Sequence, residues 1–205
     1  MPSNLSPGVR YPTTEVDLSD QAIMEQVREG DLRKLALLFE RHHRALFHFF
    51  LRLTTKREAS EDLVQEVFFR ILRYRHTYNE KHGYTAWMYQ IARNAHLDYL
   101  QKQRAHASLP GSPENDGPEY EVPSTALPVD EKISRNQEVK LLRQALDRLP
   151  EDKREVLVLS RYQNLKYEEI AAILGCEVGT VKVRVYRAVR ALGQIFFELQ
   201  GEKAV

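Results

Sequence analysis

The sequence contains a single cysteine, Cys176, among its 205 residues. One cysteine can form neither an internal disulfide nor a zinc site of four cysteines, and it fits a protein of the reducing cytoplasm. No apolar run approaches the roughly 20 residues of a membrane span, and residues 1–17 lack the apolar core of a signal peptide. These absences predict a cytoplasmic protein without membrane insertion.

An excess of charge of either sign is also missing. Thirty basic residues face 29 acidic residues, for a formal net charge of +1. A free-standing protein that binds DNA without sequence preference is usually far more basic. If this chain binds DNA, we therefore expect dimerisation or a larger assembly to supply the missing positive charge.

Proline and acidic residues are concentrated between residues 107 and 134. Five of the nine prolines lie there, together with six acids and one base. Such a segment cannot bury enough apolar surface to offset the entropy lost on ordering, so it predicts a flexible linker. The linker divides a helical domain at residues 18–106 from a second one at residues 135–199, and residues 1–17 are predicted to be a disordered leader.

Helical periodicity and capping residues predict an all-α fold in both domains. Ser19 is a candidate cap for a first helix that ends at Gly30, and Asp31 for the next helix. The segment Thr55–Glu58 matches a capping box, and the run Val156–Leu159 is predicted to be helical because its neighbours favour a helix. One further apolar stripe predicts a core-facing side: Val139, Leu142, Leu146 and Leu149.

The segment Tyr167–Leu192 predicts two helices joined by a turn at Leu174–Cys176. On the second helix, Val181, Val185, Ala188 and Leu192 recur at helical spacing and form the expected packing side. From Glu177 to Leu192 four bases face one acid. A solvated helix usually mixes both signs, whereas a recognition helix in the DNA major groove needs cations and apolar groups that contact thymine methyls.

A second unusual segment, residues 74–89, holds seven aromatic or histidine side chains among sixteen residues. Donors such as Arg93 and Asn94 follow it. Aromatic rings interleaved with donors suit unpaired bases, which stack on them for roughly 1–3 kcal/mol each. A place in the core is an equally good interpretation for Trp87 or Tyr89 taken alone.

Four motifs in order make the chain resemble a bacterial RNA polymerase sigma factor of the short, two-domain extracytoplasmic-function group. They are EDLVQEVFFRI, TAWMYQIARNAHLDYL, LPEDKREVLVL and YEEIAAILGCEVGTVKVRVYRA. The resemblance covers residues 18–106 and 135–197. It implies a transcription initiation factor with two helical domains, which are called regions 2 and 4 in this family.

The resemblance also implies roles for individual residues and partners. The expected partners are core RNA polymerase (through its clamp helices and flap region), promoter DNA and an anti-sigma factor. Contacts with the polymerase clamp are implied for Asp62, Gln65, Glu66, Phe69 and Arg70. Binding and melting of the minus-ten element are implied for Tyr78, Asn79, Tyr84, Trp87, Gln90, Arg93 and Asn94. Recognition of the minus-thirty-five element is implied for Thr180, Lys182, Val183, Arg184, Tyr186, Arg187 and Arg190.

Three positions depart from the family pattern. Lys166 stands where Ser or Thr often caps the first helix of the pair, which predicts a less firm helix start. Glu177 stands where Pro or Ser is usual. Val183 replaces a small polar residue at a base-facing position, so the family's target sequence is not carried over.

Two other classes of function account for less of the sequence. A helix-turn-helix operator-binding regulator remains the alternative. That function would not explain the motif EDLVQEVFFRI or the aromatic segment. An enzyme is not expected. His42, His43 and His48 lack the spacing of a zinc-binding helix, and no nucleophile–base pair or phosphate-binding glycine loop occurs. No catalytic residue, metal site or cofactor is therefore predicted.

Overall fold

The computed structural model describes residues 18–107 and 129–202, and these residues form eight α-helices and no β-strand. Short 3₁₀ turns occupy Leu32–Lys34, Arg75–Thr77 and Glu80–His82, and one π-helical turn, Val158–Tyr162, continues α6. The predicted all-α fold class is confirmed. The predicted leader and linker residues 108–128 lie outside the described residues. The helices are α1 Asp20–Glu29, α2 Leu35–Thr54, α3 Arg57–Tyr74, α4 Tyr84–Ala107, α5 Val129–Asp147, α6 Glu151–Leu157, α7 Tyr167–Leu174 and α8 Val178–Glu202.

Both ends of α1 follow the prediction. The Ser19 hydroxyl oxygen accepts a hydrogen bond of 3.2 Å from the backbone N–H of Ala22. Gly30 ends the helix with φ of 117°, a left-handed conformation that glycine adopts without a steric penalty. Asp20 then ties α1 to α2, because its carboxylate lies 2.8 Å from Arg41 and 2.7 Å from His42.

Two predicted helix starts are wrong. Thr55 does not open α3: it ends α2 in the left-handed region with φ of 59°, and Lys56 occupies the N-cap position without a side-chain hydrogen bond. A cap that opens a helix needs extended backbone, which this φ excludes. Asp31 does not cap α2 either, because a 3₁₀ turn follows it and its carboxylate accepts hydrogen bonds from Arg33 instead.

The N-terminal domain packs α1 to α4 around one apolar core. On α3, Leu63, Val67 and Ile71 recur at helical spacing and are buried. Phe49 of α2 packs edge-on against Tyr89 of α4, with ring centroids 5.2 Å apart. Because α3 turns this apolar side inward, its charged residues face outward.

The helix α5 begins at Val129, inside the segment predicted to be a linker. The predicted apolar stripe of this helix is right only in its second half. Leu146 and Leu149 are buried, whereas Val139 and Leu142 are exposed. Leu141 and Ala145 turn inward instead and pack with Leu199 near the end of α8.

The two domains share one continuous apolar core within the described residues. Val156–Leu159 is helical as predicted and fully buried, and it belongs to the same cluster as Phe50 of α2. The sequence predicts two domains divided by a linker and says nothing of contacts between them. Helical periodicity predicts which side of a helix is buried but not which element packs against it. The contact between the two domains could therefore not be predicted from the sequence. No helix among the described residues is sufficiently long and apolar to cross a bilayer.

Candidate nucleic-acid interface

The predicted helix pair is α7 and α8. Gly175 ends α7 in the left-handed region with φ of 62°, and the N–H of Cys176 returns to the carbonyl of Ala171 at 3.0 Å. At the start of α7 the carboxylate of Glu169 accepts a hydrogen bond of 2.8 Å from the N–H of Lys166. This bond is one half of a capping box, so α7 has a fixed start despite the lysine at its cap.

One side of α8 packs and the other faces solvent. Val181, Val185 and Ala188 are buried as predicted, and Leu192 packs against the core from a half-buried position. All seven residues predicted to contact the minus-thirty-five element are exposed: Thr180, Lys182, Val183, Arg184, Tyr186, Arg187 and Arg190. The helix therefore presents them together on its free side.

The cations of this surface are available to a ligand. Lys182, Arg184, Arg187 and Arg190 form no ion pair within 4.0 Å with an acid of residues 18–107 or 129–202. The guanidinium of Arg190 lies 6.0 Å from the ring centre of Tyr186, whose side chain is 62% exposed. Cations beside an exposed ring suit phosphates and the edges of bases.

The predicted polymerase-binding residues share the outer side of α3. Asp62 and Gln65 are exposed, and Phe69 is 58% exposed although it is aromatic. Arg70 is more enclosed, because Glu66 lies 2.6 Å from it and Asp98 of α4 lies 2.8 Å from it. These two carboxylates fix the guanidinium and raise its pKa against the opposing effect of burial. The surface combines two acidic side chains, Asp62 and Glu66, with one exposed aromatic side chain.

The aromatic segment turns inward more than predicted. Tyr78 is 2% exposed and Tyr84 1%, and burial raises the pKa of both phenols. The ring of Tyr78 packs edge-on against Trp87 with centroids 5.2 Å apart. Neither tyrosine exposes a ring face in the described structure, and their direct contact with bases stays a prediction. They support the half-buried Trp87.

Polar residues around this aromatic cluster remain accessible. Gln90 and Asn94 are exposed and lie one turn apart on α4. Asn79 is also exposed, and its side-chain oxygen accepts a hydrogen bond of 3.1 Å from the N–H of Lys81. Together with Trp87 they form the part of the predicted minus-ten site that the structure brings to the surface.

Arg93 points toward the C-terminal domain rather than solvent. Its Nε lies 3.1 Å from Oε1 of Glu155 on α6. Nearby, Tyr89 donates a hydrogen bond of 2.5 Å to Oε1 of Gln163. The predicted sites included neither Glu155 nor Gln163, because no local motif marks a partner that lies so far along the chain.

His96 is buried on the same side of α4. It is 4% exposed, and its Nε2 has no hydrogen-bond partner in the described part of the chain. Burial, with Arg154 and Arg93 nearby, lowers the pKa of His96 to about 4. The ring is therefore neutral near pH 7 and acts as part of the packing between the domains.

Two family models match the chain, and they coincide with its two domains. The model described as "Sigma-70 region 2" matches residues 38–106, and the one described as "Sigma-70, region 4" matches residues 140–192. Solved structures agree with this assignment. The sigma factor RpoE of Bartonella quintana, solved with the anti-sigma factor NepR, gives a TM-score of 0.64 at 26% identity over 80% of this chain and 96% of that one. CnrH, solved with the cytosolic domain of CnrY, gives a TM-score of 0.65 at 22% identity over 87% and 97%; this likeness concerns the fold alone.

Two curated relatives extend over most of both chains. The "ECF RNA polymerase sigma-E factor" of Haemophilus influenzae is 30% identical over 175 residues, which are 83% of this chain and 92% of the relative. The "RNA polymerase sigma factor CarQ" of Myxococcus xanthus is 32% identical over 181 residues, 88% of this chain and 99% of the relative. With both regions matched in order, the chain belongs to the extracytoplasmic-function (ECF) group of the sigma-70 family of RNA polymerase sigma factors.

Proposed function

We propose that this protein carries out its function as a promoter-directing initiation factor through three separate surfaces, with all chemistry of RNA synthesis left to the core polymerase. As a member of the ECF group, it directs RNA polymerase to promoters. The observation that carries the residue-level proposal is the exposed side of α8, where four cations that form no ion pair with the described acids accompany Val183 and Tyr186. We expect the protein in the cytoplasm, where the polymerase acts.

The exposed side of α8 is proposed to enter the major groove at the minus-thirty-five element. Arg184 and Arg187 lie four residues or fewer from Val183, so donors and an apolar group reach neighbouring base pairs. Arginine donates to guanine, and an apolar side chain contacts a thymine methyl. The sites assigned to this surface are Thr180, Lys182, Val183, Arg184, Tyr186, Arg187 and Arg190.

The minus-ten element is proposed to meet the accessible part of the loop and α4. Trp87 supplies a stacking surface, while Asn79, Gln90 and Asn94 supply donors and acceptors for base edges. In this proposal Tyr78 and Tyr84 hold the loop rather than contact DNA. Arg93 would contact the minus-ten element only after its ion pair with Glu155 breaks.

The outer side of α3 is proposed to dock on the clamp helices of the polymerase largest subunit. Phe69 would be the apolar anchor, surrounded by the polar residues Asp62, Gln65 and Glu66, which is how interface anchors are usually arranged. Arg70 is held by its two carboxylates in an orientation suited to this contact. The flap region is the proposed partner of the C-terminal domain.

An anti-sigma factor is a further proposed partner. The Bartonella quintana relative was solved with an anti-sigma factor, and its likeness extends over both domains of this chain. A protein that covers the α3 and α8 surfaces would keep this sigma factor from the polymerase and from DNA.

Run-off transcription tests the proposal. Core polymerase and the purified protein would be used to select promoters from a random-sequence library and then to transcribe them, with core polymerase alone as the control. We expect specific transcripts only when the protein is present. An operator-binding regulator would bind DNA on its own and start no transcript, and that outcome would exclude the proposed function.

A further inference from the structure

The helix α1 belongs to none of the three proposed surfaces, and it lies before residues 38–106, which match sigma-70 region 2. Three of its side chains, Ile23, Met24 and Val27, are fully buried and fix the helix on the core of the N-terminal domain. This placement brings α1 against the 3₁₀ turn Arg75–Thr77 and against the helix α4. These two elements flank the loop of the proposed minus-ten site, so α1 lies beside that loop.

A chain of side-chain contacts runs from Asp20, at the start of α1, to Trp87. An ionised carboxylate can only accept, so Nε2 of His42 donates the hydrogen bond of 2.7 Å that joins it to Asp20. The ring of His42 lies against the ring of Tyr84, with centroids 5.2 Å apart. The ring centroid of Tyr84 lies 6.4 Å from that of Trp87. Asp20 is therefore connected to Trp87 through two intervening rings.

The two buried tyrosines of this cluster are held by packing rather than by hydrogen bonds. The hydroxyls of Tyr78 and Tyr84 have no hydrogen-bond partner in the described part of the chain. Their rings meet edge-on with centroids 6.5 Å apart, and the ring of Tyr78 lies 5.2 Å from that of Trp87. Close-packed side chains transmit displacements to their neighbours. A shift of His42 would therefore pass to Tyr84 and from there to Trp87.

The backbone next to Trp87 also passes close to α1. Gly83 lies just before α4 and has φ of 71°, a left-handed conformation that glycine adopts without a steric penalty. A β-carbon added to Gly83 would lie 3.6 Å from Nε2 of Gln21 on α1. The carbonyl of Gly83 accepts a hydrogen bond of 3.3 Å from the N–H of Trp87. The helix α1 thus borders both the side-chain and the backbone supports of Trp87.

We propose that Asp20 is a positioning residue for the minus-ten element: by fixing His42 and Tyr84, it holds the ring of Trp87 in the orientation in which an unpaired base stacks on it. Asp20 itself does not touch the DNA. The inference rests on the proposed function, since it requires Trp87 to be the stacking surface. Stacking depends on the relative orientation of the two rings, so a tryptophan that is free to tilt binds a base less tightly.

Binding of an unpaired minus-ten strand to the holoenzyme, the complex of this protein with core polymerase, tests the role of Asp20. The probe is a fluorescent single-stranded oligonucleotide with the non-template minus-ten sequence of a promoter selected by the wild type. Removal of one member of such a contact network changes a distant affinity by about 2- to 30-fold. Asp20→Ala should weaken binding of the oligonucleotide by a factor in this range.

The matched control removes another acid that is paired with an arginine. The carboxylate of Asp31, just after α1, lies 3.0 Å from Arg33 and accepts its hydrogen bonds. Asp31→Ala removes the same charge and an ion pair, but leaves the contact between Asp20 and His42 in place. Its affinity for the oligonucleotide should stay within about twofold of the wild type.

A double-mutant cycle separates positioning from a general effect on the fold. Trp87→Ala should weaken binding by itself, because the stacking surface is lost. If Asp20 acts through Trp87, adding Asp20→Ala to Trp87→Ala should cause no further loss of affinity. Additive losses would overturn the inference, and so would an Asp20→Ala variant that binds the oligonucleotide as tightly as the wild type.

Trp87 is the only tryptophan of the chain, so fluorescence of the free protein reports on this ring directly. Asp20→Ala should shift the emission maximum and increase quenching by acrylamide, because the ring becomes less firmly packed. Asp31→Ala should change neither property. An Asp20→Ala variant with the tryptophan fluorescence of the wild type would contradict the positioning role even if its affinity for DNA fell.

A second variant covers a failure of Asp20→Ala to fold, which far-UV circular dichroism would reveal. His42→Ala breaks the next contact of the chain and leaves the ion pair of Asp20 with Arg41 in place. It should weaken oligonucleotide binding in the same way, again with no further loss when Trp87→Ala is present. If Trp87→Ala alone binds like the wild type, the proposed minus-ten surface fails together with the inference. If Trp87→Ala binds weakly while Asp20→Ala and His42→Ala bind normally, only the positioning role fails.

Discussion

The hydroxyl of Tyr89 on α4 donates a hydrogen bond of 2.5 Å to Gln163, which follows it by 74 positions in the sequence. The tyrosine ring belongs to the core of the N-terminal domain, where it packs against Phe49, while the acceptor lies just after the π-helical turn of the C-terminal domain. This hydrogen bond therefore joins the two domains directly, and it forms only when both are folded. Because the core is continuous, we expect both domains to unfold in one transition.

The substitution Tyr89→Phe should reduce the free energy of unfolding by about 1 kcal/mol. The ring and its packing remain, and only the hydrogen bond to Gln163 is lost. Urea unfolding followed by circular dichroism measures this change. Tyr186→Phe is the control, because the Tyr186 side chain is largely exposed and should change the free energy by less than about 0.5 kcal/mol. Equal effects of the two substitutions would contradict a stabilising role for the interdomain bond.

On the recognition helix, Arg187→Ala should weaken binding of the assembled polymerase to its promoter by about 1–3 kcal/mol, because an exposed arginine on this side can bond to a base edge. Binding would be measured at several salt concentrations. A base contact leaves the salt dependence unchanged, whereas loss of a phosphate contact reduces its slope by about one.

The control for this prediction removes the same charge elsewhere. Arg44 is exposed on α2 and no DNA contact is proposed for it. Arg44→Ala should leave promoter affinity within about 0.5 kcal/mol of the wild type. If the two variants bind the promoter equally well, Arg187 does not read the minus-thirty-five element.

The recognition helix could be predicted because the spacing of its apolar residues shows which side of the helix is buried. Val181, Val185 and Ala188 repeat with the period of a helix, and such a stripe is buried whatever covers it. The side opposite the stripe is then exposed by geometry. Leu63 and Val67 on α3 have the same spacing and are also buried.

The aromatic segment and the domain interface could not be predicted in this way. Composition alone does not say whether Tyr84 faces a base or the core, since a ring is favourable in both places. Arg93 and Glu155 lie 62 positions apart, and no local pattern marks such a pair. The stripe on α5 failed at Val139 for a related reason: no element covers that side of the helix within the described residues.

The α3 surface leads to a prediction about the polymerase. Phe69→Ala should weaken binding to core polymerase by about 2 kcal/mol, the loss typical of an aromatic anchor at an interface. Stability should change by less than about 0.5 kcal/mol, because the ring is already exposed in the free protein. Phe197→Ala on α8, where the side chain is 69% exposed, is the matched control. Equal losses of polymerase affinity would show that Phe69 is not the anchor.

The neutral state of His96 makes stability depend on pH. The pKa of His96 is lowered to about 4 in the folded chain, mainly by burial and secondarily by Arg154 and Arg93, from an ordinary value of 6.5. Between pH 6.5 and about 4, His96 binds a proton in the unfolded chain but not in the folded chain. The fold therefore loses stability as the pH falls from 6.5 to 4, and this group contributes no further change above that window.

The expected loss across that window is about 3 kcal/mol, because each unit of pKa difference corresponds to about 1.4 kcal/mol. Chemical unfolding at a series of pH values measures it, and His96→Gln should flatten the profile because its side chain does not titrate. His76 is exposed, so His76→Gln should leave the profile unchanged. Burial also raises the pKa of Glu155 and Asp147 above their ordinary values of 4.5 and 3.8, which gives the opposite slope just above those values, but both groups remain in the wild type and in each variant. The difference between the profiles therefore isolates His96, and parallel profiles for the wild type and His96→Gln would mean that the imidazole is already charged inside the fold.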